Sequence, residues 1–503
     1  MEKNRWKQSF AGIVAAGTFS DVSEVPSDCN IVESRWVYKW KGNAHGEIER
    51  AKPRLVGKGY SQVEGVDYFQ TYAPTASPAA IRLMAILACT LDWDLRHFDV
   101  EQAFVQSDLD AEIYMRLPPG CGTMSGQVVR LNKSVYGLKQ ASRTWYELLV
   151  STLKNIGFEQ SLVDPCVLRL TVGNGMVAMM VIHVDDIQIS ASQNVAEVVI
   201  AALNDSFPTK DLGELSWYMG SEYRRDRERG TLEISQTQFI HSVLNRFNVT
   251  KNSAIPASPS LDLRYSSDDE AAVNVPFREV VGSLMWIATQ TRPDIANAVR
   301  AVARFSHDPK EVHWKAACKI LEYLHSTAHL GLTYRKENLT SVEIIFDLDA
   351  YVDADYAQKV NDRRSVSGAA IFCGGCLVTW FSRTQKSVTL SITEAEYVAM
   401  AEGVKEALYV RGILAFLRPQ ASRPNIAVHE DNKGAKALAD NPLSSSNSKH
   451  IDVHYHFLRE LVSNGDITVD HIAGKEQCAD ILTKALDRTS FETHRDFHLG
   501  VRK

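Results

Sequence analysis

The chain has 503 residues, too many for one ordinary hydrophobic core, so its length predicts about two to four domains. Hydrophobic residues make up 45% of the chain and charged residues 23%, proportions that exclude disordered and fibrous classes. The net charge of −6 excludes a generally basic nucleic-acid coat, although local basic grooves remain compatible with it.

The N-terminus, MEKNRWKQSF, lacks the apolar core of a signal peptide. No stretch reaches the roughly 20 apolar residues that a membrane span needs. We therefore expect a soluble, intracellular protein.

The eight cysteines are spread along the chain, which favours reduced thiols over a disulfide framework. Cys373 and Cys376 flank two glycines between apolar runs, a pattern that predicts a two-residue hairpin. A zinc site is the weaker alternative. Its further ligands would have to come from the segment KHIDVHYH, which holds His450, His454 and His456.

From about Trp36 to Ser192 the pattern mixes strands and helices, as in an α+β domain. The predicted strands are RWVYKWK, AKPRLVGKG, DLRHFDV, MVAMMVIHV and IQIS, and the predicted helices are SPAAIRLMAILACTL and SRTWYELLVSTLKNIG. Basic residues gather in the segment WVYKWKGNAHGEIERAKPRLVGKG, namely Lys39, Lys41, Arg50, Lys52, Arg54 and Lys58. These residues form either a nucleic-acid groove or a solvated strand face, and charge alone favours the solvated face.

The middle of the chain changes character twice. A segment from about Val195 to Pro256 adds helices and the strand-like runs WYMGSEYRRD and LEIS, and SAIPASPSLDLRYSSDDEAAVNVP then predicts a linker. A helical block from about Phe277 to Thr327 shows no evident chemistry and is expected to be a spacer. From Glu343 strands and helices return, which predicts a second α/β unit.

Two adjacent aspartates, Asp185 and Asp186, divide the apolar run MVAMMVIHVDDIQIS and predict a hairpin with the acids at its tip. A plain turn is the alternative, because aspartate is a common turn residue. Neighbouring carboxylates beside a buried strand repel each other unless a divalent cation neutralises them. Asp99, near the end of DLRHFDV, would complete a three-carboxylate site for two Mg²⁺ ions, but spacing does not choose it over Asp94, Asp108 or Asp110.

The C-terminal unit carries a second set of acids, each with a structural alternative. Asp353 lies at a strand end, and Glu396 completes a capping-box pattern with Thr393. Asp431 is placed to cap a short helix, and Asp480 is expected to open the final helix. Taken singly, these structural roles are preferred.

Ordered blocks decide between these alternatives. The segments KPRLVGKGYSQVEGVDYFQTYAPTASPAAIRLMAILA, FDVEQAFVQSDLDAEIYMRLPPG, LNKSVYGLKQASRTWYELL, GFEQSLVDPCV and IHVDDI resemble the reverse transcriptase of copia-type LTR retrotransposons. The resemblance extends from about Trp36 to Leu486. It implies that Asp99, Asp185 and Asp186 are the metal-binding acids of a polymerase site. One residue departs from the family, because His183 stands where the family has tyrosine before the aspartate pair.

The resemblance also implies contacts to nucleotide and primer. Phe104 matches the bulky residue that excludes a ribose 2′-OH, and Lys52 and Arg54 match a basic pair that meets the incoming triphosphate. Gln140 matches a turn that contacts template and nucleotide. The residues of a primer-gripping hairpin are matched by Trp217, Tyr218, Met219 and Gly220, for which a core strand is the alternative.

The second acid set lies in the blocks YVDADYA, RRSVSGAAIF, WFSRTQKSVTLSITEAEYVAMAE, HEDNKGAKALADNP, SKHIDVHYHFLRE and QCADILTKAL, which resemble the copia-type ribonuclease H domain. The resemblance implies a two-Mg²⁺ site whose acids are Asp353, Glu396, Asp431 and Asp480. The register of the motif prefers Asp353 over Asp355 and Glu396 over Glu394. Such a site would cut the RNA strand of a hybrid, because the 2′-OH distinguishes RNA from DNA.

The implied architecture is a multidomain α+β and α/β chain, with a right-hand polymerase of fingers, palm and thumb, a helical connection and a ribonuclease H-like domain. The expected boundaries are 1–193 for fingers and palm, 194–256 for a thumb-like segment, 257–340 for linker and connection, 341–490 for the ribonuclease H-like domain and 491–503 for a C-terminal tail.

The implied function is RNA-directed DNA polymerase with ribonuclease H activity, using Mg²⁺, two ions per site, or Mn²⁺. The expected partners are RNA template, DNA primer, RNA–DNA hybrid, deoxynucleoside triphosphates and other parts of one polyprotein, in the cytoplasm, within virus-like particles and with entry to the nucleus. Two alternatives stay open. One is a catalytically weak nucleic-acid-binding remnant, and the other is a ribonuclease H whose polymerase half is only a scaffold.

Overall fold

The computed structural model describes residues 5–22, 24–42, 48–173, 175–259, 263, 273–336, 347–357, 363–418, 424–440 and 452–501. The chain divides into two compact units. The first comprises Met1–Ala76 and Arg96–Gly213, and the second comprises Ser77–Leu95 and Glu214–Lys503. The expected mixed α/β multidomain architecture is confirmed. Within the described ranges, no helix combines the length and apolar character needed to cross a membrane.

Up to residue 214, the elements are α1 (Arg5–Ala15), β1 (Phe19–Asp21), β2 (Ile31–Gly42), β3 (Ile48–Gly57), α2 (Pro78–Leu91), β4 (Asp94–Val100), β5 (Asp108–Arg116), β6 (Val128–Lys133), α3 (Ala141–Ile156), β7 (Glu159–Gln160), β8 (Val167–Val172), β9 (Gly175–His183), β10 (Asp186–Ala191), α4 (Gln193–Asn204) and β11 (Thr209–Glu214).

After residue 214, the elements are β12 (Trp217–Tyr218), β13 (Ser221–Asp226), β14 (Thr231–Ser235), α5 (Thr237–Arg246), α6 (Phe277–Gln290), α7 (Ala296–Ala303), α8 (Glu311–Ser326), β15 (Leu332–Arg335), β16 (Leu348–Asp355), β17 (Val366–Cys373), β18 (Cys376–Thr384), α9 (Ile392–Leu417), β19 (Ile426–Glu430), α10 (Lys433–Asp440), α11 (Asp452–Ser463), β20 (Thr468–His471), α12 (Asp480–Thr483) and α13 (Arg488–Leu499).

The described residues of the first unit form two sheets. Among the described residues, one sheet has the strand order β1-β6-β5-β2-β3 and the other has β11-β4-β10-β9-β8-β7. The second sheet packs on α3 and α4 through a core that includes Phe98, Trp145 and Ile187, all fully buried. Helix α3 ends at Ile156 and is followed by the cap Gly157, whose φ of 106° is the left-handed conformation that favours glycine. This core fixes β4 beside the β9–β10 hairpin.

The second unit begins with α2, which starts well because Ser77 accepts a hydrogen bond from the Ala80 amide and Pro78 follows at the first helical position. Its described residues form a sheet of order β12-β13-β14-β15 and another of order β18-β17-β16-β19-β20. In the second of these, β16, β17 and β18 are antiparallel, whereas β19 is parallel to β16 and to β20.

The helical block α6–α8 is not an isolated spacer, because it packs within the second unit. Arg82 of α2, fully buried, donates from Nε to the Val378 carbonyl at 2.6 Å and from Nη1 to the Thr289 and Gln290 carbonyls at 2.9 and 3.0 Å. The Trp380 indole donates to the Ala288 carbonyl at 2.9 Å. These bonds join α2, the end of α6 and β18.

Two further expectations about the second unit need correction. The final helix does not begin at Asp480, which opens only the four-residue α12, and α13 begins separately at Arg488 after the cap Asp487. The expected tail from residue 491 is the body of α13, where Phe491, His494 and Leu499 are buried. Much of the predicted linker lies outside the described residues.

The predicted Cys373–Cys376 hairpin is confirmed. The two cysteines pair in register across β17 and β18, and Gly374 and Gly375 adopt φ values of 53° and 73°. Positive φ at both central residues is what a tight hairpin turn requires. Among the described residues, no group of metal-ligating side chains includes either cysteine, and His450 lies outside the described part of the chain.

Candidate active sites

The predicted aspartate hairpin is present between β9 and β10. Asp186 pairs with His183 in the ladder, so the two turn residues are Val184, with φ 60°, and Asp185. Neighbouring β4 carries Asp99 one residue before its end, and the Val100 amide donates to the Asp185 carbonyl at 3.3 Å. Asp99 and Asp185 therefore lie side by side at the same edge of the sheet.

Asp186 is held differently from the other two acids. Its Oδ1 contacts Nε2 of His97 at 2.9 Å, and His97 lies on β4 two residues before Asp99. In the described structure, Asp99, Asp185 and Asp186 are not among the groups whose ligand atoms converge closely enough to hold one ion. The backbone bond thus places Asp99 and Asp185 next to each other, whereas Asp186 contacts His97, a residue that sequence reasoning missed.

Arg54 and Phe104 both contact the ring of Tyr136. The Arg54 guanidinium carbon lies 5.1 Å from the centre of the Tyr136 ring, and the Phe104 ring stands edge-on to it at 4.7 Å. Burial, followed by the charge of Asp185, raises the pKa of the Tyr136 hydroxyl, with Asp99 adding to the shift. Arg54 and Phe104 thus both contact one tyrosine, which sequence reasoning did not select, and the charges of Asp185 and Asp99 act on its hydroxyl.

Two other predicted nucleotide contacts stand differently. Lys52 lies in β3 opposite Lys39, and its side chain lies outside the described part of the structure. Gln140 is fully buried. It accepts a hydrogen bond from Gln62 at 3.1 Å and donates to the Asp67 carbonyl at 2.8 Å. This geometry does not fit the expected direct contact, because the Gln140 amide is occupied in bracing the loop after β3.

The predicted primer hairpin is formed by β12 and β13. Met219, with φ 50°, and Gly220, with φ 74°, make its two-residue turn. Trp217 is 43% exposed and Tyr218 is 1% exposed, so the hairpin anchors on the tyrosine and presents the tryptophan.

His183 is half-buried at the end of β9. Burial lowers the pKa of its imidazole, although the charges of Asp186 and Asp185 oppose this shift. A neutral imidazole at this position adds no positive charge to the site at neutral pH.

The second acid set converges within the second unit. Among the described residues, one group of three acids could hold an ion, because its ligand atoms all lie within 4.8 Å of one another; this group is Asp353, Glu396 and Asp431. Asp353 lies on β16, Glu396 on α9 and Asp431 directly after β19. Glu396 is oriented by a hydrogen bond from the Ala354 amide at 2.6 Å.

Asp480 approaches the group through α12. A Cβ on Gly368, which pairs with Asp353 in the ladder, would lie 2.7 Å from Cγ2 of Thr483, so only glycine allows α12 so close to the sheet. Thr483 donates to Asp353, and Nζ of Lys484 lies 2.9 Å from Asp480 and 3.5 Å from Asp353. Lys484 therefore balances part of the acid charge.

The electrostatics of this cluster fit a divalent cation. Burial is the largest cause that raises the pKa of Asp353, to about 6, and burial followed by repulsion from Asp353 raises the pKa of Glu396. The pKa values of Asp431 and Asp480 are also raised, again chiefly by burial. Buried carboxylates that repel one another are stabilised in their charged form by a divalent cation with oxygen ligands.

The helix caps near these acids differ from expectation. Ser391, not Thr393, caps α9, because its hydroxyl accepts from the Glu394 amide at 3.1 Å, and the Glu394 carboxylate accepts from the Leu390 amide at 2.7 Å. Asn432, not Asp431, accepts from the Ala435 amide at the start of α10. Glu396 and Asp431 therefore do not have the helix-capping roles that the sequence pattern predicted for them.

Sequence reasoning also missed Glu430. This residue is fully buried beside Asp431, accepts a hydrogen bond from the Asn432 amide at 2.9 Å and adds to the repulsion felt by Glu396. The alternation of β19 contained the signal, because Glu430 shares a face with the buried residues Ile426 and Val428.

Comparison with known proteins accords with this geometry. Residues 18–260 match the family described as reverse transcriptase (RNA-dependent DNA polymerase). The chain is 35% identical over 501 residues to the retrovirus-related Pol polyprotein from transposon RE2 of Arabidopsis thaliana, covering 98% of this chain and 34% of that protein. It is 36% identical to the Pol polyprotein from transposon RE1 of the same plant, over 98% of this chain and 33% of that protein.

A third relative is the Pol polyprotein from transposon TNT 1-94 of Nicotiana tabacum, which is 34% identical over 95% of this chain and 36% of its own length. The chain thus spans about a third of the length of each of these three relatives. By these matches, the chain belongs to the copia-type retrotransposon Pol polyproteins and carries their reverse transcriptase region.

Proposed function

We propose that this chain is an RNA-directed DNA polymerase with a separate ribonuclease H site, acting as part of a retrotransposon Pol polyprotein. Its substrates are an RNA template, a DNA primer, deoxynucleoside triphosphates and the RNA–DNA hybrid that synthesis produces. The observation that carries the polymerase assignment is that Asp99 and Asp185 lie at adjacent strand ends, and that their charges act on Tyr136, the tyrosine that Arg54 and Phe104 contact.

In the polymerase site each side chain has a distinct task. Asp99 and Asp185 would hold Mg²⁺, and Asp186 would be held in place by His97. Arg54 offers a planar guanidinium that suits the oxygens of a triphosphate, and Phe104 limits the space beside the sugar 2′ position. The chemistry that Mg²⁺ supplies when bound is activation of an attacking oxygen and stabilisation of the leaving oxygen.

The ribonuclease assignment is supported by the sheet of the second unit as well as by its acids. Three antiparallel strands continued by two parallel strands place Asp353 on the central strand, with α9 across the sheet presenting Glu396. Asp353, Glu396 and Asp431 would hold the cation, with Asp480 beside them. Thr483 and Lys484 position Asp353 and Asp480.

A separation-of-function experiment tests both assignments. With Mg²⁺ and oligo(dT)-primed poly(rA), Asp185→Asn should lose DNA synthesis and keep cleavage of a labelled hybrid, whereas Asp431→Asn should do the reverse. Asp205→Asn, an exposed acid after α4, is the matched control and should keep both activities. Unchanged synthesis by Asp185→Asn would remove Asp185 from the proposed site, and unchanged cleavage by Asp431→Asn would do the same for Asp431.

A catalytically weak nucleic-acid-binding remnant is the second candidate, and one observation favours it. His183, with its lowered pKa, stands where the family has tyrosine. Under this alternative, the unmutated protein would bind the primed template without extending it.

A further inference from the structure

We propose that Tyr136 sets the choice between deoxyribonucleotides and ribonucleotides, acting as a positioning residue for Phe104 and Arg54. This inference rests on the proposed polymerase function. In this proposal Tyr136 acts through Phe104 and Arg54 and does not touch the reacting atoms.

The backbone of Tyr136 is fixed to the strand that carries Arg54. The Gly57 amide donates to the Tyr136 carbonyl at 2.8 Å, and Val56 forms an isolated bridge with Tyr136. A Cβ on Gly137 would lie 2.2 Å from the Gly57 carbonyl oxygen, so this close approach requires glycine. The tyrosine therefore cannot move independently of the end of β3.

The ring of Tyr136 then supports two side chains at once. The Phe104 ring packs edge-on against it at 4.7 Å, and the Arg54 guanidinium lies over it at 5.1 Å. Edge-to-face aromatic pairs and cation–π contacts both depend on the orientation of the central ring. Loss of this ring frees Phe104 to turn away from the sugar and frees Arg54 to leave the triphosphate.

The hydroxyl of Tyr136 contributes less to this role. Burial, Asp185 and Asp99 raise the pKa of the hydroxyl, whereas Arg54 lowers it. Phe104 and Arg54 both contact the ring, so the ring should control sugar selection.

The test compares Tyr136→Ala with Tyr136→Phe in primer extension with dTTP and with UTP, measuring kcat and KM for each. Tyr136→Ala should lower the dTTP-to-UTP ratio of kcat/KM by up to about tenfold, the upper value for the contribution of one aromatic pair. Tyr136→Phe should keep that ratio within about twofold, because it retains the ring that contacts Phe104 and Arg54.

Tyr146→Ala is the matched control, because Tyr146 is also a partly buried tyrosine of the first unit, packed on the α3 core. Tyr146→Ala should slow the incorporation of both nucleotides equally and leave the dTTP-to-UTP ratio of kcat/KM unchanged. An unchanged ratio in Tyr136→Ala, beside an active unmutated protein, would overturn the inference while leaving the polymerase assignment intact. Absence of dTTP incorporation by the unmutated protein would instead contradict the polymerase assignment and the inference with it.

Discussion

Replacement of Arg82 by alanine should destabilise the second unit strongly. Burial lowers the pKa of Arg82 to about 10, so the side chain stays charged at neutral pH, and its hydrogen bonds reach three backbone carbonyls. Its guanidinium also lies 4.1 Å from the centre of the Trp380 ring. A buried carbonyl left without a donor costs about 1–3 kcal/mol, and the Thr289 and Gln290 carbonyls are only partly buried, so we expect a total loss of about 4 kcal/mol.

Thermal unfolding followed by calorimetry measures this loss. A unit of this size should lose about 8 °C in Tm for about 4 kcal/mol. Arg82→Lys keeps the charge but not the planar fork, and should lose about half as much. Arg229→Ala is the control, because the Arg229 side chain is 84% exposed and its removal should cost less than about 0.5 kcal/mol. Equal shifts for Arg82→Ala and Arg229→Ala would refute this account of α2 and β18.

Two further predictions concern titration and charge balance in the second unit. Burial and then repulsion from His494 lower the pKa of His498 to about 3. Below about pH 6.5 the unfolded chain therefore binds the proton and the folded chain does not, so the free energy of unfolding decreases as the pH decreases. In urea unfolding, the free energy of unfolding of His498→Phe should decrease by about 2 kcal/mol less than that of the parent between pH 7 and pH 5. Equal decreases in variant and parent would contradict this. Lys484→Met should lower Tm in the presence of chelator, because Asp353 and Asp480 lose the Lys484 ammonium. Added Mg²⁺ should reduce the Tm difference between variant and parent. A Tm difference that Mg²⁺ leaves unchanged would contradict the proposed charge balance of the site.

Local patterns predicted the elements well. The strand DLRHFDV is β4 without change of bounds, and the apolar runs around Asp185 form the predicted hairpin. Both depend on short-range alternation and turn chemistry, which a single sequence contains. The helix α2 was equally plain, because its cap and first-turn proline stand together.

Side-chain partners were predicted less well, because they depend on distant parts of the chain. Thr393 and Ser391 are both good caps two residues apart, and only the packed structure shows that Ser391 is used. Gln140 matched a family turn, yet its partners Gln62 and Asp67 lie more than 70 residues away in sequence and bury it. Tyr136 could not be selected from the sequence, because a single aromatic residue carries no periodic signal, although Arg54 and Phe104 both contact it.

The central claim is that this chain copies RNA into DNA. Incorporation of labelled dTMP by the unmutated protein on oligo(dT)-primed poly(rA), with Mg²⁺ and then with chelator, tests it most directly. We predict that DNA synthesis requires both template and Mg²⁺ and that Asp99→Asn abolishes it. A folded protein that binds the primed template and incorporates no dTMP would contradict the claim and leave the nucleic-acid-binding remnant in its place.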